Sequence, residues 1–179
     1  MIDSYNMFSV PLWRTNVDNW EQKKSQLLEL LDEDNLDKNN NECVPNDYTS
    51  QQKDGRFYCR YCDQVSTILY DEISQFFQYA QIGGHMYAAW FERAGRSEYH
   101  HPHNHGMQGF SAVCFVEYDS EVHTPTQFTS PFTNFVTGEL INHNPPDIVE
   151  SSLIFFPSSI THFTHSNLSD IPRTILSFN

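Results

Sequence analysis

The sequence predicts a mainly β protein, a sandwich or barrel of short strands with two helices packed outside it. Three observations predict this. From His85 onward the chain runs in short apolar or alternating segments, HMYAAWF, FSAVCFVEY, SLIFF and RTILSF. Turn formers separate them at Gly95, Pro125, Pro131, Gly138, Pro145, Pro146, Pro157 and 167–170. Fourteen Phe and nine Tyr favour pleated, aromatic-rich packing. Two stretches at helical spacing come before the strands, the arrangement expected of helices buttressing one face of a barrel.

The elements follow in order. MFSVPLW, from Met7 to Trp13, reads as an opening strand broken by Pro11. Asp18 with Glu21 three residues on is a capping-box pattern, and Trp20, Leu27, Leu28 and Leu31 follow at helical spacing, so a helix is expected over 19–32. The polar stretch 32–55 reads as a long mobile surface connection. A second helix fits Val65 to Ala80, with Val65, Leu69, Ile73, Phe76 and Phe77 on one stripe and Gly83-Gly84 as its stop. No repeat or linker divides the chain, so its 179 residues are expected to form one domain, with a helical buttress over 1–84 and barrel strands mostly over 85–179.

The net charge of −13 repels phosphate backbones and anionic lipid, so nucleic acid and membrane surfaces are disfavoured as partners. The first residues lack the basic and apolar runs of a signal peptide, and no stretch is long enough to span a bilayer. Four cysteines are few for a secreted disulfide scaffold, so a reducing cytoplasm is the expected setting. Cys59 and Cys62 form a C-x-x-C pair with no second pair to complete a zinc site and no thioredoxin-like context, and they read as ordinary thiols ahead of a helix.

Chemistry concentrates in the histidines. Four of the nine fall within six residues, His100-His101-Pro102-His103-Asn104-His105. On an extended strand His103 and His105 share a face and can chelate one metal. His100 and His101 read as exposed polar residues. The H-N-H spelling of 103–105 is coincidental, because nuclease residues of that name are well separated. A third histidine, His162, closes an apolar segment, and the strand after the next turn carries Arg173. A buried Arg needs an anionic partner, and its planar fork suits a carboxylate. Imidazoles suit Fe, Zn, Cu or Ni. A metal with a cationic anchor beyond it implies a carboxylate ligand reaching between the two.

At these residues the chain resembles the Fe(II)- and 2-oxoglutarate-dependent oxygenases. In them an H-x-D/E pair and a distal His bind iron, and an Arg about ten residues past the distal His binds the far carboxylate of 2-oxoglutarate. Here Arg173 stands 11 residues after His162. The chain is more closely similar to a set of such oxygenases common in marine bacteria and their phages. It matches them in Pro102-His103-Asn104-His105, the strand from Ser111, Phe156-Pro157-Ser158, His162, Ser169-Asp170, Arg173 and Ser177-Phe178-Asn179. Three departures stand out: His105 replaces the acidic ligand of the wider superfamily, Ser111-Ala112 replaces S-G, and Arg173-Thr174-Ile175 replaces R-x-S.

The resemblance implies a double-stranded β-helix, a jelly-roll or cupin-like barrel, with two N-terminal buttressing α-helices. It implies Fe(II) on His103, His105 and His162, with 2-oxoglutarate as cosubstrate on Arg173 and Ser177. O₂ would be consumed and a substrate C–H bond hydroxylated. Trp90, Tyr87 and Phe115 are candidate cavity residues. The primary substrate and any association of the chain with itself are left open. Two alternatives stand beside this reading: a cupin-like three-His dioxygenase that does not use 2-oxoglutarate, and a non-catalytic β-sandwich binding module.

Overall fold

A strand with an apolar face must bury it against a second layer. Here two sheets do so against each other, and helices cover the outer face of one of them. The computed structural model describes residues 8–37 and 43–179. The first elements are β1 (Trp13–Asn16), α1 (Trp20–Leu28), the hairpin β2 (Gln52–Lys53) and β3 (Arg56–Phe57), α2 (Cys62–Ile68) and α3 (Tyr70–Ala80). The strands β4 (Ala89–Ala94), β5 (His100–His103), β6 (Phe110–Glu117) and β7 (Gln127–Thr129) follow. β8 (Asn142–His143), β9 (Ser152–Pro157), β10 (His162–Thr164) and β11 (Arg173–Phe178) complete the described elements. The larger sheet has the order β1-β9-β6-β11-β4 and the smaller β5-β10-β7-β8. Every pairing is antiparallel. Two antiparallel sheets interleaved in this way form a double-stranded β-helix, as expected.

The central strands are apolar on both faces because both faces are covered. On β11, Ile175 packs between the sheets with Phe115, Phe128, Ile154 and Phe156. Leu176 and Phe178 face the other way, onto Leu27, Val65, Leu69 and Phe76 of the helices. Phe76 of α3 stacks on Phe155 of β9 with ring centroids 4.2 Å apart. The inward parity of β11 therefore also turns Arg173 and Ser177 into the barrel, where they are 3% and 2% exposed.

Four expectations change. The opening strand forms over 13–16, past Pro11, where each residue can pair with β9; Met7 lies outside the described residues. The first helix ends at Leu28, and its capping box does not form: Asn19 is the cap at φ 53°, and the Asp18 N–H donates instead to Glu72 of α3. The second helix begins earlier and breaks at Leu69, giving α2 and α3. Its stop is Gln81, at φ 54°, and not Gly83-Gly84: the Ile82 N–H closes onto the Phe77 carbonyl in a Schellman pattern.

The fourth change concerns the stretch 32–55, whose described part is not all surface. Val44, Asn46 and Asp47 are buried, the Arg93 N–H donates to Pro45 O, and the Asp47 N–H donates to Phe91 O. This strap covers the free edge of β4. It is pinned by Asp47, whose carboxylate accepts from the Phe91 N–H, the Tyr61 hydroxyl and Arg60, each at 2.8 Å. Beside it Cys59 and Cys62 form a disulfide and are not free thiols; the turn into α2 brings their Cα atoms to 5.6 Å. No helix among the described residues is long and apolar enough to cross a membrane.

Candidate metal centre

β5 is the edge of the smaller sheet, which is why it tolerates Pro102. Its His103 lies directly opposite His162 of β10. His105 stands two residues beyond, past the end of the strand. Its N–H donates to Ser158 O at 2.9 Å, and Gly106 at φ 108° then carries the chain away. The result is convergence: one ligand atom from each of His103, His105 and His162 lies within 4.8 Å of the others, and the Nε2 atoms of His103 and His105 are 3.2 Å apart.

The hydrogen bonds fix which nitrogen is available. Carbonyl oxygens only accept, so His103 Nδ1 must donate to His101 O at 2.9 Å and His162 Nδ1 to Ile160 O at 3.0 Å. His105 Nδ1 meets Asn179 Oδ1 at 2.9 Å and Ser111 Oγ at 2.8 Å, and Ser111 is itself tied to Ser158. With each Nδ1 carrying its proton, each Nε2 lone pair is left for a ligand. Protonation is resisted as well. Burial, then the neighbouring His100, pushes His103 down to about 4. Burial lowers His105, and burial with His103 and His105 lowers His162 well below the ordinary imidazole value. Three neutral, oriented nitrogen donors that mutually repel protons make a site suited to a divalent metal ion.

Arg173 sits on the neighbouring sheet, facing the same interior. Its Nη1 donates to Thr124 O at 3.1 Å. Among the described residues it makes no ion pair; Asp170, its nearest acidic neighbour in sequence, pairs with Arg96 at 2.9 Å. Burial lowers its pKa, while Glu92 and Tyr118 act in the opposite sense. Ser177 shares its strand face, opposite Trp90. A buried guanidinium without a carboxylate is a site for an anionic group.

His100 departs from expectation. It is buried, not exposed: its ring stacks on His103 with centroids 3.9 Å apart, and its Nδ1 meets Glu92 Oε2 at 3.1 Å. Burial alone would raise the Glu92 carboxyl, but His100, His103 and the Trp90 N–H together outweigh it and hold the group well below the usual carboxylate range. His101 is exposed, as expected. A cavity of about 340 Å³ opens beside the histidines, walled by Tyr48, Tyr87, Trp90, His101 and Asn104. Trp90 and Tyr87 thus line it, whereas Phe115 packs in the core against Tyr118. The sequence motifs include Ser111, Ser158 and Asn179 without giving them a role, and Glu92 lies outside them. For Glu92 a signal existed, a lone acid at an inward position of an apolar strand.

No family model and no curated protein matches the chain. Solved structures do match its fold. A prolyl-4-hydroxylase of Pseudomonas putida is 13% identical, with 95% of this chain and 92% of that one covered and a TM-score of 0.59. The viral collagen prolyl hydroxylase of Paramecium Bursaria Chlorella virus-1, solved with 2-oxoglutarate, is 9% identical, with 93% of each chain covered and a TM-score of 0.59. The epimerase SnoN, in complex with Fe3+, alpha-ketoglutarate and nogalamycin RO, is 12% identical, with 94% and 78% covered and a TM-score of 0.60. The chain has the double-stranded β-helix fold of these 2-oxoglutarate-dependent enzymes.

Proposed function

We propose that the chain is an Fe(II)- and 2-oxoglutarate-dependent dioxygenase that hydroxylates a substrate yet to be identified. His103, His105 and His162 hold the metal, and Arg173, with Ser177 beside it, takes the far carboxylate of 2-oxoglutarate. One observation carries this reading: three Nε2 atoms converge inside a barrel whose facing sheet buries an arginine that has no ion-pair partner among the described residues. The solved structures of this fold bound to 2-oxoglutarate, one of them also with Fe3+, support it.

When bound, iron and 2-oxoglutarate supply the O₂-dependent oxidation. The chain's own residues bind and orient. Carbonyls at 101 and 160 and the Asn179 amide hold the imidazoles in the Nδ1–H tautomer. The Ile175 and Phe115 layer keeps water from the interior. Tyr48, Tyr87 and Trp90 wall the mouth through which a primary substrate reaches the metal. We further propose that residues 1–179 act as one domain, with its buttress over 1–84 and its barrel over 85–179, and that it works in the cytoplasm.

The test is an anaerobic Fe(II) titration with metal analysis, followed by 2-oxoglutarate and a succinate-release assay. Wild type and His101→Ala are expected to bind one iron, and His162→Ala none. Full iron occupancy in His162→Ala sinks the site. A second reading, a three-His centre that does not use 2-oxoglutarate, is favoured by the all-neutral ligand set; iron binding without any 2-oxoglutarate binding would select it.

A further inference from the structure

The metal centre proposed above has only neutral ligands, so the full charge of a divalent ion would enter a largely buried interior. A second oddity lies close by. Glu92 is 3% exposed, and among the described residues it pairs with no Lys or Arg. A buried anion whose one ion-pair partner is a histidine is costly unless positive charge stands nearby.

The two oddities meet in space. Glu92 is on the inward face of β4, opposite Ile175 of β11. Both its oxygens are fixed, Oε1 by the Trp90 indole N–H at 3.1 Å and Oε2 by His100 Nδ1 at 3.1 Å. The His100 ring then lies nearly flat on His103, at 19°. Glu92 thus reaches His103 through the stacked His100 ring, and on the inward face of β4 it stands two residues from Ala94, the cross-strand partner of Arg173. Its charge acts on His103, His105 and Arg173 alike.

Resting on the metal site proposed above, we propose that Glu92, clamped by Trp90 and His100, is the counter-ion of the three-histidine centre, a fixed carboxylate that balances the metal's charge without ligating it. Beside a divalent metal and the Arg173 cation, Glu92 supplies one fixed negative charge that the three neutral ligands do not. Without Glu92 the interior loses that charge. A purely structural Glu92 would merely tie β4 to β5 through His100.

The two roles separate in binding measurements on the full chain. Glu92→Gln keeps the shape of the side chain but removes its charge; its amide oxygen can still accept from the Trp90 indole N–H, and its amide N–H can donate to His100 Nδ1 in the other tautomer. Chelator-competition titration with Co(II) is expected to show ten- to a hundred-fold weaker metal binding, the usual cost of losing an outer partner of a metal site. The Co(II)-loaded variant is expected to bind 2-oxoglutarate more tightly than wild type, by about tenfold, because a repelling charge has gone. Glu92→Asp, which keeps the charge, should hold metal affinity within a few-fold of wild type. If Glu92→Gln does not fold alone, it is made in the Arg173→Met background, where the same drop in Co(II) affinity relative to Arg173→Met is expected. Unchanged Co(II) affinity, or parallel weakening of both metal and 2-oxoglutarate, overturns the proposal. A wild-type chain that binds no Co(II) at all removes the metal centre itself, and this proposal with it.

Discussion

Arg173→Met separates a binding role from a structural one, because the two predict opposite changes in stability. The side chain is 3% exposed and, among the described residues, donates one hydrogen bond, to Thr124 O at 3.1 Å. Losing that bond costs about 1.5–3 kcal/mol, because the donor is charged. Against this, removing an unpaired buried charge recovers desolvation of several kcal/mol, and Met fills much of the same volume. The metal-free variant is therefore expected to be as stable as wild type or more so, by about 1–3 kcal/mol, read as a melting point unchanged or raised by several degrees. Cosubstrate binding goes the other way. Hydrogen bonds to charged groups contribute about 1.5–3 kcal/mol, so 2-oxoglutarate should bind the metal-loaded variant roughly ten- to a hundred-fold more weakly. Differential scanning fluorimetry and calorimetric titration of one preparation, with metal content checked, read both quantities. A lower melting point with unchanged 2-oxoglutarate affinity would refute the reasoning and make Arg173 a structural residue.

Two further outcomes are expected. In the folded chain His103 is pushed down to about 4, and His105 and His162 are also lowered, so between there and the unfolded value near 6.5 the unfolded chain binds protons that the folded chain refuses. Their contribution to stability is full above about pH 6.5 and lost as pH falls toward 4, so urea midpoints of the metal-free chain should drop across that window, and drop less in His162→Gln; a midpoint flat across the window would contradict this. Asp47→Ala should destabilise the chain by about 3 kcal/mol or more, since it strands the buried Phe91 N–H and Tyr61 hydroxyl at about 1–3 kcal/mol each while the third-exposed Arg60 contributes little; a loss under about 1 kcal/mol in chemical denaturation would mean that the strap is held by other contacts.

Much of the barrel was legible because its central strands are short and apolar, and three of the four segments read from the sequence coincide with β6, β9 and β11. What escaped was decided by tertiary contacts. Asp18 has the capping pattern, but Glu72 of α3 captures its N–H. The polar residues Asn46 and Asp47 resemble a loop and are buried because the edge of β4 needs covering. At the metal centre, His103, His105 and His162 were found by spacing and context. His100 was read as exposed because strand parity says nothing of a ring stacked on another three residues along. The argument that singled out Arg173, a charge among inward apolar residues, applies equally to Glu92 and was the means by which it could have been found.

The pairing of His103 with His162 across neighbouring strands ties metal capture to folding order. Two ligands meet only when segments some sixty residues apart in sequence come into register. A chain with β10 slipped by one residue would turn His162 to the opposite face and lose the site entirely. Metal would therefore act as a proofreader of register, favouring the correctly paired barrel over slipped forms by its binding free energy and by nothing else. Refolding with and without metal, monitored by the yield of chains able to re-bind it, reads that selection directly.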